Sequence, residues 1–331
     1  MDRRQVLLLT AGIAGLATSP AFGQQRRTRK IGVLWHAGTP EEEAIYQQPL
    51  KAGLSDLGYV EGRDYDLVET YADEKYERFN ANATKLVEMQ VDVIVAVTGP
   101  ATAAAQRATT TLPIVFVVVP DPVGRRFAAS LARPGGNITG LSTISVDLSP
   151  KRLELLKQAL PDTSRVSLFV NAKDPHMSRS VVERTQAAAA SLGVTVDPVE
   201  IADPDDLDRA FPEVRRKGTS AAILMQDPLF FNERRRIAKL ALSNRVGTMV
   251  ANSVMVDDGS LMSYGANSGP LFRRVGLYVD KIFRGEGPAQ IPIEEPTRLE
   301  LVINLRTADA LGVSIAPSLL ALADRTVDLK G

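Results

Sequence analysis

Only two imidazoles occur in the 331 residues, His36 and His176, and there is no cysteine. Nucleophilic and metal-assisted reactions need such groups in fixed company, and that company is missing. The chain has no Gly-x-Ser-x-Gly, no phosphate-binding Gly-x-x-x-x-Gly-Lys, no His-Glu-x-x-His and no Gly-x-Gly-x-x-Gly after a strand. Two isolated histidines with no carboxylates at ligand spacing do not make a metal site. The cluster Asp203, Asp205, Asp206 and Asp208 imitates a calcium loop. Pro204 and the lack of the loop's glycine and closing glutamate make it the acidic first turn of a helix instead. No catalytic residue, metal or cofactor is expected, and the chain is not expected to be an enzyme.

Polar residues at the ends of apolar runs point to binding. In open α/β sheets a ligand lies beyond the carboxyl ends of the strands, and those ends can be read off. Trp35 and His36 close the first run, with an aromatic able to stack on a flat ligand. Thr98, Gly99 and Thr102 open a helix whose free N–H groups suit a carboxylate. Pro120 and Asp121 form a stiff loop with one carboxylate suited to an ammonium group. In the second half the ends are Asn171, Gln226 with Asp227, Asn252 and Tyr264. Each has a plainer role open to it: Trp35 as a core aromatic, Thr98 as a helix cap, Asp121 as a turn residue.

The elements that must hold these residues alternate. Strands Ile31 to Trp35, Tyr65 to Tyr71, Val91 to Val97 and Pro113 to Val119 are separated by helical segments, Glu42 to Leu57, Tyr76 to Met89 and Gly99 to Ala108. The β-branched run Val91 to Val97 suits a central parallel strand covered on both faces. The second half repeats the rhythm. Helices starting at Ser149, Ser178, Asp203 and Asn232 alternate with strands Arg165 to Val170, Thr195 to Ile201, Ala221 to Met225 and Thr248 to Ala251. The expected fold is α/β, with two Rossmann-like, doubly wound parallel-sheet lobes joined by a multi-strand hinge. The first lobe is expected over 30–145 plus about 262–296, and the second over 146–261 plus about 297–331.

Residues 1–23 have the layout of an export signal. Arg3-Arg4 precede an uncharged stretch from Val6 to Ala17, and Ala21-Phe22-Gly23 is a small-x-small cleavage site. Arg3-Arg4-Gln5-Val6-Leu7 also fits a twin-arginine signal, and sequence leaves the two routes open. Removing 1–23 leaves 37 basic and 38 acidic side chains, since Arg3, Arg4 and Asp2 go with it. A near-neutral surface does not specify nucleic acid or an anionic membrane as partner. An exported chain without disulfides relies on its core, and about 300 residues bury enough surface for that.

Several stretches resemble ABC transporter substrate-binding proteins of the tryptophan-binding-like group. They include Gly58-Tyr59-Val60-Glu61-Gly62, Pro113-Ile114-Val115-Phe116, Asp121-Pro122-Val123, Arg133 to Gly140, Lys151 to Leu156, Leu261 to Gly265 and Glu300 to Leu305. The resemblance implies a type I periplasmic-binding fold with a three-segment hinge and a small molecule, such as an amino acid, closed in the cleft. It also implies delivery to the membrane permease of an ABC transporter, and a monomer free in the periplasm, since no lipid-attachment cysteine is present. The same fold would serve a periplasmic sensor that presents its closed form to a receptor kinase. One departure stands out: Pro120 replaces a usual glycine, and Gly124-Arg125-Arg126-Phe127 replaces small or aliphatic residues. Two arginines at the cleft edge favour an acidic ligand group.

Overall fold

The computed structural model describes residues 27–73 and 75–328; the segment 1–23, expected to be an export signal, and the last three residues lie outside them. Strands β1 (Arg29–Trp35), β2 (Tyr65–Tyr71), β3 (Val93–Val97), β4 (Ile114–Pro120) and β5 (Ile138–Thr143) form one parallel sheet in the order β2-β1-β3-β4-β5. Helices α1 (Pro40–Ser55), α2 (Tyr76–Glu88) and α3 (Thr98–Ala108) belong to this lobe. Helices α2 and α3 cover one face, where Leu34, Phe79, Leu86, Ile94 and Phe116 are fully or almost fully buried.

The second sheet holds β6 (Arg165–Asn171), β7 (Thr195–Ile201), β8 (Ala221–Leu224), β9 (Gly247–Val250), β10 (Met262–Ala266), β11 (Leu299–Asn304) and β12 (Arg325–Val327). Its order is β12-β11-β10-β9-β8-β6-β7, so β7-β6-β8-β9-β10 repeats the winding of the first sheet. Around it lie α4 (Ser149–Ala159), α5 (Pro175–Ala189), α6 (Asp206–Arg216), α7 (Pro228–Asn232), α8 (Arg234–Ser243) and α9 (Ser253–Asp257). Local rules fix several of these starts. Asp174, Asp227 and Asn252 each accept a hydrogen bond from the first turn of α5, α7 and α9, and proline follows the two aspartates at the first helical position. The acidic cluster opens α6 without a side-chain cap bond: Asp206, in its first turn, instead accepts from the N–H groups of Ala202 and Asp203 in the preceding loop.

Helix α10 (Ser268–Phe283) returns to the first lobe and packs on α1. The two axes come close because Gly53 and Gly276 face each other: a Cβ on Gly276 would lie 2.5 Å from the Gly53 carbonyl carbon. Two features differ from the sequence expectation. The second crossing between lobes falls after β10, at about residue 267, because Met262–Ala266 pairs with β9 in the second sheet. The second sheet is also not wholly parallel, since β11 runs antiparallel to β10. Strand β10 leaves the second lobe at its cleft end and β11 re-enters there, so the two must run in opposite directions.

The chain crosses between lobes at 144–148, near 267, and at 295–298. Before the third crossing, Glu294 bonds to β5 through its own N–H to the Gly140 carbonyl and through the Ser142 N–H to its carbonyl. Arg152, 2 % exposed, ties the first two crossings together. Its Nε donates to the Tyr264 carbonyl at 2.7 Å and its Nη1 to the Ser145 carbonyl at 2.8 Å. Burial lowers its pKa to about 10.

Candidate functional site

Between the lobes lies a narrow cavity, with about 60 Å³ open to the centre of a water-sized sphere. The carboxyl ends of both sheets face it. His36 follows β1, Thr98, Gly99 and Pro100 open α3, and Val118 and Pro120 end β4. From the second lobe come Asp174 at the head of α5, Met225, Gln226 and Asp227 after β8, and Ala251 with Asn252 after β9.

The apolar wall is aromatic and shared. Tyr46 of α1 stacks on Phe272 of α10 with ring centroids 4.6 Å apart and 16° between planes. Phe231 of α7 meets Tyr46 at 5.7 Å and sets its edge against His36 at 5.9 Å. The Arg234 guanidinium lies over the Phe231 ring, 4.7 Å from its centre, a cation–π contact that helps to fix the ring. These rings join the first lobe's core to the second lobe's, so both belong to one apolar cluster. The Tyr46 hydroxyl accepts from Asn252 Nδ2 at 2.8 Å. Burial raises its pKa well above the ordinary 10, so it stays protonated and able to donate.

The polar wall carries backbone strain. Thr98 has φ 80° and Val118 has φ 59°, left-handed values that are outliers for β-branched residues. Val118 sits where the β4–β5 register slips between Val117 and Val119. The Thr98 side chain does not cap α3; its hydroxyl is buried and has no hydrogen-bond partner. Strain concentrated on a ligand-facing surface is a frequent mark of a working site. Across the wall, Arg125 Nη2 donates to Asp174 Oδ2 at 2.5 Å, joining the two lobes.

Of the residues expected from sequence, His36, Thr98, Gly99, Pro120, Gln226, Asp227 and Asn252 line this cavity. The structure places the other five elsewhere. Trp35 is 0 % exposed and one layer behind, stacked on Phe272 at 5.8 Å and donating to Glu69 at 2.8 Å. Strand alternation turns it under α1 and α10, and only the next residue reaches past the strand end. Thr102 is one turn deeper in α3, its hydroxyl bonded to the Thr98 carbonyl. Asp121, at φ 48°, turns back to accept from the Gly124 N–H and lies 3.5 Å from His176 at the outer edge. It therefore does not offer its carboxylate to the cavity. Asn171 stands behind Asp227 and donates to its Oδ1 at 2.9 Å. Tyr264 is at the hinge, where its carbonyl takes the Arg152 bond.

Sequence reasoning missed Tyr46, Phe231 and Phe272, which sit inside helices and look like ordinary core aromatics. It also missed Asp174, whose one visible signal is that of a helix cap. Arg125 was visible as a departure but not as a site residue. Among the described residues no group of three or more His, Cys, Asp or Glu side chains is placed to hold a metal ion.

The chain is similar to known binding proteins over nearly its whole length. It is 25% identical over 325 residues to a tyrosine-binding protein of Clostridioides difficile, covering 94% of this chain and 92% of that protein. A structure of an ABC domain from Streptococcus pneumonia in complex with L-Trp superposes with a TM-score of 0.83 at 23% identity, covering 90% of this chain and 99% of the other. The ligand-free, open structure of a substrate-binding protein with adhesive properties from Clostridium difficile gives 0.66 at 24% identity, with the same coverage. Both structures show the two-lobed fold. The model of the ABC transporter substrate binding protein family matches residues 30–327, and this chain belongs to that family of binding proteins, which are not enzymes.

Proposed function

We propose that the chain captures an α-amino acid with an aromatic or branched apolar side chain by closing its two lobes, and presents it to the membrane permease of an ABC uptake transporter. The observation that carries the reading is the opposition of two walls. The rings of Tyr46, Phe231 and Phe272 face the first turn of α3, whose N–H groups and orphan Thr98 hydroxyl lack acceptors from any capping side chain. A helix N-terminus favours a carboxylate, and the rings favour a flat or branched apolar body. The similar tyrosine-binding protein and the similar ABC domain in complex with L-Trp agree with that chemistry.

Closure is supported by the contacts themselves. Arg125–Asp174 and Tyr46–Asn252 join side chains from opposite lobes, and three short crossings allow hinge motion. We place the mature protein in the periplasm on the strength of the 1–23 segment, with the permease reading its closed form.

A thermal-shift and calorimetry panel of the purified chain tests this: L-tryptophan, L-tyrosine, L-phenylalanine, L-leucine, and hexoses as controls. A ligand at 100 times its Kd adds about 2.7 kcal/mol to the folded state, a plain rise in Tm. Stabilisation by one or more of the amino acids is expected. Stabilisation by sugars alone, or by nothing on the panel, would overturn the assignment.

A further inference from the structure

Arg125 has a donor set that the protein leaves mostly unused. Its side chain is 14% exposed on the cavity wall. Of the five N–H donors in its planar fork, one is used by the protein, Nη2 to Asp174. Its Nε is buried with no acceptor. The guanidinium packs against the first turn of α3: a Cβ on Gly99 would come 3.2 Å from its central carbon. The buried, unpartnered Thr98 hydroxyl is on the same turn. Two orphan donors and a helix N-terminus thus meet on one side of the cavity, and buried donors of this kind are normally paired. An acceptor from the ligand is the missing member.

We infer that Arg125 is the specificity-determining residue for the ligand's anionic end: it demands a free carboxylate, and it couples that demand to closure. The inference rests on the amino-acid reading above and deepens it. One face of the fork, at Nε, takes the carboxylate from the side of α3. The Nη2 end reaches across the cleft to Asp174 at the head of α5. A ligand carboxylate therefore orients the same guanidinium that latches the lobes, and neutral analogues lose both effects. Lysine would not replace it, since an ammonium cannot hold two acceptors in one plane.

The test is calorimetry on the full mature chain with L-tryptophan, L-tyrosine and L-leucine, each beside its carboxamide, for the parent, Arg125→Met, Arg125→Lys and Asp174→Asn. Charge-assisted hydrogen bonds imply that the parent prefers the acid to the amide by about 10- to 100-fold. Arg125→Met should lose most of that preference while binding the amide about as the parent does. Arg125→Lys should fall between them. Asp174→Asn, which cuts the latch and keeps the fork, should weaken the acid more than the amide, because only the acid orients the latching guanidinium. An Arg125→Met protein that keeps the parent's acid-to-amide ratio would overturn the inference while leaving the amino-acid reading intact, and would make Arg125 a latch alone. A parent that binds none of the six compounds would overturn both.

Discussion

Asn252 Nδ2 donates to the Tyr46 hydroxyl at 2.8 Å across the cleft, while Asn252 Oδ1 accepts from the Val254 N–H and caps α9. One amide thus starts a helix in the second lobe and holds an aromatic of the first. The bond joins residues of different lobes, so under the proposed hinge closure it contributes to the closed state and not to the stability of either lobe.

Tyr46→Phe should therefore separate closure from folding. Removing one neutral hydrogen bond costs about 0.5–1.5 kcal/mol, or roughly 2- to 12-fold in ligand affinity. The ring stack on Phe272 survives, so the unfolding midpoint in urea should move little. Calorimetry and urea titration of the variant check this, and a large loss of stability with unchanged affinity would contradict it. Because burial keeps the Tyr46 hydroxyl protonated far above neutrality, parent affinity should also show no tyrosine-linked change between pH 7 and about 10.

Thr98→Gly should trade function for stability. The left-handed φ of 80° at Thr98 costs an L-residue about 1–2 kcal/mol, which glycine is spared. The variant is expected to be as stable as the parent or slightly more so, and to bind its ligand several-fold more weakly for want of the hydroxyl. Thermal unfolding and calorimetry together decide the point. Lower stability with full affinity would make Thr98 a structural residue.

Trp35 is the chain's one tryptophan and is fully buried behind Phe272. Its fluorescence should resist iodide quenching equally with and without ligand, although emission intensity can shift as Phe272 adjusts. Trp35→Phe should lower unfolding free energy by about 0.5–3 kcal/mol and leave Kd unchanged. Ligand-dependent protection from iodide would place Trp35 on the cavity after all.

Glu294 locks the third crossing against α10. Arg274 holds its carboxylate with two bonds, Nε at 2.6 Å and Nη2 at 2.9 Å. That pairing pulls the Glu294 pKa below its ordinary 4.5. A carboxylate with a depressed folded-state pKa stabilises the fold above its unfolded pKa, and the contribution disappears as pH falls through the folded value. The Tm gap between parent and Glu294→Gln should be constant from neutrality down to about pH 5 and close as the pH drops below 4.5. A gap independent of pH would show that charge plays no part at this crossing.

Much of the architecture was legible because local burial has a sequence signature. The run Val91 to Val97 announces a strand covered on both faces, and β3 is Val93–Val97, buried throughout. The helix expected from Ser178 starts earlier, at Pro175, and a short helix from Pro228 precedes the one expected from Asn232; Asp174 and Asp227 cap these starts. The rule that ligands gather beyond strand ends then located His36, Thr98, Gln226, Asp227 and Asn252. Periodicity alone could not say that β11 would run against β10, since that follows from where the chain re-enters the second lobe. Nor could it separate Trp35 from Phe272. Both are aromatics on apolar faces, and one faces core while the other faces core and cavity together.

What the sequence by itself determined is the set of elements, their α/β alternation and the polar loops at their ends, because these depend on contacts within a few residues or on a two-state choice between buried and exposed. What only the tertiary structure decided is which side chains meet. Tyr46, Phe231 and Phe272 lie on three helices from two lobes, and Arg125 and Asp174 are separated by 49 positions. Their convergence depends on how two sheets close on one another, and no spacing along the chain encodes that distance.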